Sequence, residues 1–214
     1  MFWKNIIGAA AAVTMAVSFA GASTNADAAS KHSKYKPVTT ASRTVSRGTM
    51  PPFAYIQFCV HNRAACRNTA GKLPMVGGNK VKLTKRLEQQ LASVNQSVNS
   101  SMRPRRDGPI DSWAVGGRAG DCEDFAMTKR ARLIAAGWPS SALSMTVVRT
   151  RSGEGHAVLS IQTSHGTLVL DNLTRSVRPL SKVPYYLVAM QVGGPMEWRR
   201  EQSNIFFRSN RALE

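Results

Sequence analysis

Three residues in this chain have the types and the order needed to attack a carbonyl. Cys122 stands in Gly120-Asp121-Cys122-Glu123-Asp124-Phe125-Ala126, His156 in Gly155-His156-Ala157-Val158-Leu159, and Asp171 in Val169-Leu170-Asp171-Asn172. A thiol, then an imidazole, then an acid is the order of one group of thiol nucleophile sites. The imidazole takes the thiol proton and later returns it to the leaving group, and the acid fixes the tautomer and orientation of the ring. Each residue also has a plain reading: a buried structural cysteine, a satisfied polar residue at a strand start, an acid in a turn. It is the conjunction that points to chemistry. His165 in a turn, His61 beside another cysteine and His32 in a polar stretch are poorer bases.

The elements that must position these groups are legible in the periodicity. Phe125, Ala126, Leu133 and Ala136 fall on one helical stripe, Gly137 stops the helix, and Trp138-Pro139 leads the chain away. Asp121 is placed to cap that helix, with Asp124 three residues on as a variant capping box. Cys122 then lies in the first turn, where free N–H groups and the macrodipole favour a thiolate. Ahead of it, Leu83, Leu87, Leu91, Val94, Val98 and Met102 predict a core helix from Val81 to about Met102. Asn95 and Asn99, one turn apart on another face of that helix, read either as exposed polar positions or as hydrogen-bonding groups under the site. Trp113 in the glycine-rich loop before the cysteine reads either as a cleft wall or as a core anchor.

After the cysteine helix the period changes to two. Ser144–Thr150, His156–Thr163 and Thr167–Leu170 alternate, with Ser164-His165-Gly166 as a hairpin turn, and Tyr185–Val192 follows a loop bracketed by Pro179 and Pro184. One hairpin separates His156 from Asp171. Adjacent strands lie about 4.8 Å apart, so the start of one and the end of its partner can bring the two side chains together. A nucleophile-bearing helix packed on an antiparallel sheet is an α+β layout. Phe53–Cys59 reads as an extended segment packed on the domain, Gly71–Asn79 as turn-rich, and the tail from Arg199 as peripheral.

The rest of the chain bounds the setting. Its 214 residues predict one domain with appendages. Lys4, an apolar run from Ile6 to Ala20 and the small residues Ala26-Asp27-Ala28 read as an export signal over residues 1–28. Residues 29–50 read as a basic flexible linker and 51–214 as the domain. Periplasmic or secreted placement suits the cysteines: Cys59 and Cys66 can close a small loop, which leaves Cys122 as the odd, free thiol. The formal charge of +17 implies attraction to acidic partners, such as an anionic envelope surface or an acidic or cell-surface protein substrate. No zinc-finger spacing, aromatic RNA-binding signature or recognition helix directs that charge to nucleic acid.

Taken together, Gly120–Ala126 with Lys129 and Leu133, Val147-Val148-Arg149-Thr150, Gly155–Leu159, Leu170-Asp171-Asn172-Leu173 and the pairs Val94-Asn95 and Val98-Asn99 resemble the bacterial transglutaminase-like cysteine proteinases. The resemblance spans about Val81 to Pro195. It implies a papain- or transglutaminase-like fold, thiol acyl transfer, and Cys122, His156 and Asp171 as nucleophile, base and orienting acid. The expected protein is a monomeric exported cysteine peptidase acting on a protein or peptide. The same thioester could instead pass to a lysine amine, as in a cross-linking transglutaminase, or the fold could serve as a basic binding module. The resemblance also extends to calcium-dependent relatives that cut surface adhesins, which makes calcium the expected cofactor. Two readings therefore stand for Asp121 and Glu123. They cap the helix and complement its dipole, or with carbonyls of Gly116–Gly120 they supply oxygens to a calcium ion.

Overall fold

The computed structural model describes residues 48–200, so the expected export signal and the linker up to residue 47 lie outside the described residues. Two of the expected linker residues belong to the domain: Gly48–Thr49 form β1, an edge strand. The next segment departs from the sequence reading. Phe53–His61 is a helix, α1, not an extended stretch. Its aromatic and β-branched residues favour a strand locally. However, Ala54, Tyr55, Phe58 and Cys59 are the buried set, a helical spacing that docks one face in the core and leaves Phe53 and Val60 outside. Cys59 is bonded to Cys66, and Cys122 is free.

A short hairpin, β2 (Met75–Val76) and β3 (Lys80–Val81), precedes the long helix α2 (Lys85–Ser101). This helix starts four residues later than the periodicity predicts. Thr84 caps it, its side chain accepting from the Leu87 N–H at 3.4 Å, while Val81 pairs in the sheet. It ends where Pro104 forces Arg103 into the extended region. Arg103–Pro104 (β4) and Ala119–Gly120 (β5) then form a separate two-stranded parallel sheet, which ties the loop between them to the root of the next helix.

That helix, α3, is Cys122–Ala135. Its C-terminus is a Schellman motif. The Trp138 N–H reaches the Leu133 carbonyl at 3.0 Å, and the Gly137 N–H reaches Ile134 at 2.9 Å, with Gly137 at φ +92°. The sheet follows: β6 (Leu143–Arg149), β7 (Gly155–Thr163), β8 (Gly166–Leu170), β9 (Arg178–Pro179), β10 (Tyr186–Gln191) and β11 (Trp198–Arg200). The order is β1-β11-β10-β6-β7-β3-β2, with β8 also on β7 and β9 on β8. All pairings are antiparallel except a single parallel bridge from Val81 to Thr163. The tail from Arg199 is thus not peripheral at its start, because Arg199 and Arg200 sit in β11 opposite β10.

One face of the sheet carries the main core. Leu143, Met145, Leu159, Ile161 and Leu170 pack there with Tyr55, Leu91, Met127, Leu133 and Trp138. Each such fully buried aliphatic side chain contributes about 1.5–3 kcal/mol of transfer free energy. Trp113 belongs to this core, edge-on to Tyr55 with centroids 5.2 Å apart, so it is the anchor rather than the cleft wall. The opposite face carries a smaller cluster of Val148, Val158, Val169 and Val183, with Leu180, Tyr185 and Leu187 packed against it. Arg130, buried in α3, joins two distant parts. Its Nη1 donates to the Ala65 carbonyl inside the disulfide loop at 3.1 Å, and its Nε donates to Leu143 at 3.3 Å.

Candidate active site

The register predicts where the base and the acid meet. His156 is the second residue of β7, and Asp171 directly follows β8, whose Leu170 is opposite Leu159. His156 Nε2 lies 2.9 Å from Asp171 Oδ1, and both side chains are almost fully buried. Asp171 is pulled below the usual carboxylate range. Burial pushes it up, but the hydrogen bonds from His156, the Tyr185 hydroxyl and the Leu173 N–H outweigh that. An ionised carboxylate can only accept, so His156 Nε2 donates, and in the neutral ring Nδ1 is then the basic nitrogen. Asn99 secures this corner from behind. Its Nδ2 donates to the carbonyls of Asp171 and Thr174, and Asn95 Nδ2 donates to Thr174 and Arg175. Of the two readings of these asparagines, the hydrogen-bonding one describes the molecule.

Cys122 opens α3 at the floor of a cleft of about 470 Å³. Arg105, Arg106, Glu154, His156 and Leu173 line it, and Arg106 pairs with Glu154 at 3.2 Å. The thiol accepts from the Ala157 N–H at 3.3 Å, which places it beside the residue that follows the base. It also donates to Glu123 Oε2 at 2.8 Å. This contact overturns the expectation of a lowered thiol pKa. Burial first, then the charge and hydrogen bond of Glu123, push the Cys122 thiol far up, and the Ala157 N–H only partly offsets them. The pull of the helix start is real but smaller than the repulsion from the acids around it.

Those acids are arranged differently from the sequence reading. Asp121 holds the N-cap position, yet its side chain makes no capping hydrogen bond, and its Oδ1 is buried and accepts none. Asp124 points back to the preceding loop, its Oδ1 accepting from Ala114 N–H at 2.7 Å. Glu123 is turned to the thiol. Among the described residues, the set able to share a cation is instead Asp107, Asp111 and Asp121, with one ligand oxygen from each within 4.8 Å of the others. The β4–β5 pairing brings Asp107 and Asp111 to the helix start. Asp107 is braced by Ser112, whose N–H and hydroxyl donate to Oδ2 at 2.5 and 2.9 Å. The electrostatic consequence is uniform. Asp111 is raised by burial and then by the charges of Asp121 and Asp107, Asp124 is raised to about 6, and Glu123 to about 7, burial being the first cause in each. Three carboxylate oxygens this close together fit a hard divalent cation with oxygen ligands.

The other two described histidines stand apart from this cleft, and His32 lies outside the described residues. His165 faces Glu88 at 3.6 Å, and His61 bonds its own helix at the Gln57 carbonyl. Two residues near Asp171 have surroundings that the sequence does not reveal. Tyr185 was visible only as the start of a strand, although its hydroxyl donates to Asp171 Oδ2 at 2.5 Å. Lys129 is fully buried, its Nζ makes no hydrogen bond, and burial lowers it to about 7 against the attraction of Asp171.

Among curated proteins none matches the chain. Among solved structures, it is similar to Legionella pneumophila LapG in the calcium-bound form, at 29% identity over 49% of this chain and 64% of that one, with a TM-score of 0.44. It is also similar to the EGTA-treated form of LapG, at 27% identity over 56% of this chain and 70% of that one, with a TM-score of 0.47. The chain thus spans just under two thirds of the length of the calcium-bound LapG chain. Residues 45–204, well over half of the sequence, match the family model of the bacterial transglutaminase-like cysteine proteinases, BTLCP. The cleft with its free cysteine and hydrogen-bonded histidine and aspartate lies inside that match, and the chain belongs to this family.

Proposed function

We propose that this protein is an exported cysteine peptidase that cuts a protein substrate through a thioester on Cys122. The observation that carries the reading is the buried His156–Asp171 hydrogen bond beside a free thiol that touches Ala157. In the first step Sγ bonds to the substrate carbonyl carbon and its proton passes to His156 Nδ1. The amide C–N bond then breaks, and the leaving amine takes that proton. Water attacks the thioester with His156 as base, releasing the acid and restoring the thiol. The oxyanion is received by unpaired backbone N–H groups of the first turn of α3.

Asp107, Asp111 and Asp121 would hold calcium, replacing the pair Asp121 and Glu123 expected from the sequence. Bound there, the ion would cancel the negative charge beside the thiol and so favour the thiolate. Arg105 and Arg106 on the cleft wall suit a substrate with acidic residues near the cut, and the basic surface suits an anionic envelope. The test is trapping with Cys122→Ala in a periplasmic extract, followed by digestion of the captured protein with wild type. Two fragments summing to the substrate plus one water establish a peptidase. A heavier, amine-linked product would make the enzyme a transglutaminase instead.

A further inference from the structure

The outer face of the sheet holds a small cluster far from the main core, and its edge reaches the triad. Val183 is buried among Val148, Val158 and Val169, with Leu180, Tyr185 and Leu187 against them. This clamps the chain from 180 to 187 onto the sheet, with Pro184 holding Val183 before it in the extended region. In the sheet, Tyr186 is opposite Arg149 on β6, and His156 on β7 is opposite Val148. One strand therefore separates Tyr185 from the histidine. A tyrosine is long enough to cover that distance and still end in a donor.

Two contacts result. The phenol hydroxyl donates to Asp171 Oδ2 at 2.5 Å, and the ring stands edge-on to the imidazole of His156, with centroids 5.4 Å apart and planes at 68°. Asp171 Oδ1 is already occupied by His156 Nε2 and by the Leu173 N–H, each at 2.9 Å. Three donors on two oxygens leave the carboxylate one orientation, because turning it breaks all three bonds. Burial, with the hydrogen bond and charge of Asp171, pushes the Tyr185 hydroxyl up, so it remains a donor throughout the working range.

From this geometry, and building on the function proposed above, we infer that Tyr185 is a positioning residue of the triad. It fixes the second oxygen of Asp171 and one face of His156, and it sets how strongly the acid supports the charged imidazole. The sign follows from the hydrogen bond. Donation to Oδ2 spreads the carboxylate charge and weakens its hold on imidazolium. Removing the hydroxyl leaves a buried, unshared oxygen, so the protonated ring is favoured and the base is freed only at higher pH.

The probe is p-nitrophenyl acetate, which reports the thioester without knowledge of the natural substrate. Wild type should release one burst of nitrophenol per Cys122 and then turn over at the rate of thioester hydrolysis, which needs unprotonated His156. Cys122→Ala should remove the burst and His156→Ala the later turnover. Tyr185→Phe should keep the burst, slow the later turnover about ten-fold, and move its rising pH limb upward. Incorporating 3,5-difluorotyrosine at 185, a stronger donor of nearly the same shape, should move the limb downward, which keeps the test valid if the phenylalanine variant folds poorly. A limb that stays in place in both variants overturns the role of Tyr185 while leaving the triad standing. A wild type whose burst survives Cys122→Ala removes the triad, and this inference with it.

Discussion

Cys122 sits between two regions with opposite electrostatics. On one side, His156, Asp171, Tyr185, Leu173 and Asn99 form a closed set, and Asp171 is stabilised as an anion despite burial. On the other, Asp107, Asp111, Asp121, Glu123 and Asp124 crowd the helix start, with Asp111, Glu123 and Asp124 raised and Asp121 Oδ1 accepting no hydrogen bond. Hydrogen-bond donors lower a carboxylate pKa, while burial beside like charges raises it. In the first region both oxygens of the acid have donors from within the chain. In the second, oxygens of Asp107, Asp111 and Asp121 lie within 4.8 Å of one another, and Glu123 accepts from the thiol.

The largest expected effect tests the closed side. Cys122→Ala, and separately His156→Ala, should lower hydrolysis by roughly 10⁴-fold without changing the unfolding midpoint by more than a few degrees. Retained turnover in either variant would dissolve the contrast, since the triad would no longer be the working half.

The next effect belongs to the acidic side. Adding calcium to chelator-stripped protein should speed alkylation of Cys122 by iodoacetamide at neutral pH by roughly ten-fold or more, and titration calorimetry should show binding. Asp121→Asn should abolish both responses. Alkylation that is equally fast with and without the ion would mean that the acids do not restrain the thiol.

A third measurement follows stability against pH in the absence of divalent ions. Glu123 and Asp124 have folded pKa values of about 7 and about 6, above their unfolded values. Their stabilisation is full below about pH 4 and is lost as pH rises through 6 to 7. Lys129 runs the other way. Its folded value of about 7 lies below the ordinary 10.5, so the unfolded chain binds the extra proton between the two, and stability rises with pH over that range. The unfolding temperature should therefore pass through a minimum near pH 7. Asp124→Asn should flatten the acidic side of that minimum, and Lys129→Met the alkaline side. A single maximum at neutrality would contradict both assignments.

The smallest effect concerns the mount behind the acid. Asn99→Ala removes the hydrogen bonds to the carbonyls of Asp171 and Thr174. It should cost about 1 kcal/mol of stability and slow turnover a few-fold, measured by denaturant unfolding and by ester hydrolysis. No change in turnover would show that the loop after β8 holds Asp171 without help.

Much of this site was legible because its residues lie at places that periodicity marks. Cys122 begins a helix, while His156 and Asp171 lie at one end of a hairpin, so short-range pattern fixed their neighbourhood. The acidic side was harder. Asp107-Gly108-Pro109 looks like any turn, and only the β4–β5 pairing brings it to Asp121. Glu123 flanks the cysteine and so suits either the helix dipole or a cation, and sequence spacing does not reveal that its carboxylate turns to the thiol. The α1 error was one of propensity: Phe53-Ala54-Tyr55-Ile56 looks like a strand until the disulfide and the core select the helical face. Tyr185 was hidden because a tyrosine at a strand start is common, and its reach over β6 is purely tertiary.

The buried guanidinium of Arg130 has a consequence for how the cysteine helix is held. It rests on two carbonyls, and one of them, Ala65, lies in the loop that Cys59 and Cys66 close. The bridge adds to the backbone hydrogen bonds of that turn, such as Ala65 N–H to Asn62, and a charge taken out of water without its acceptor is costly. Reducing the bridge is therefore expected to loosen the seat of the helix that starts at Cys122. The bridge lies outside the cleft, yet through one arginine it bears on how firmly the helix that carries the third cysteine is held.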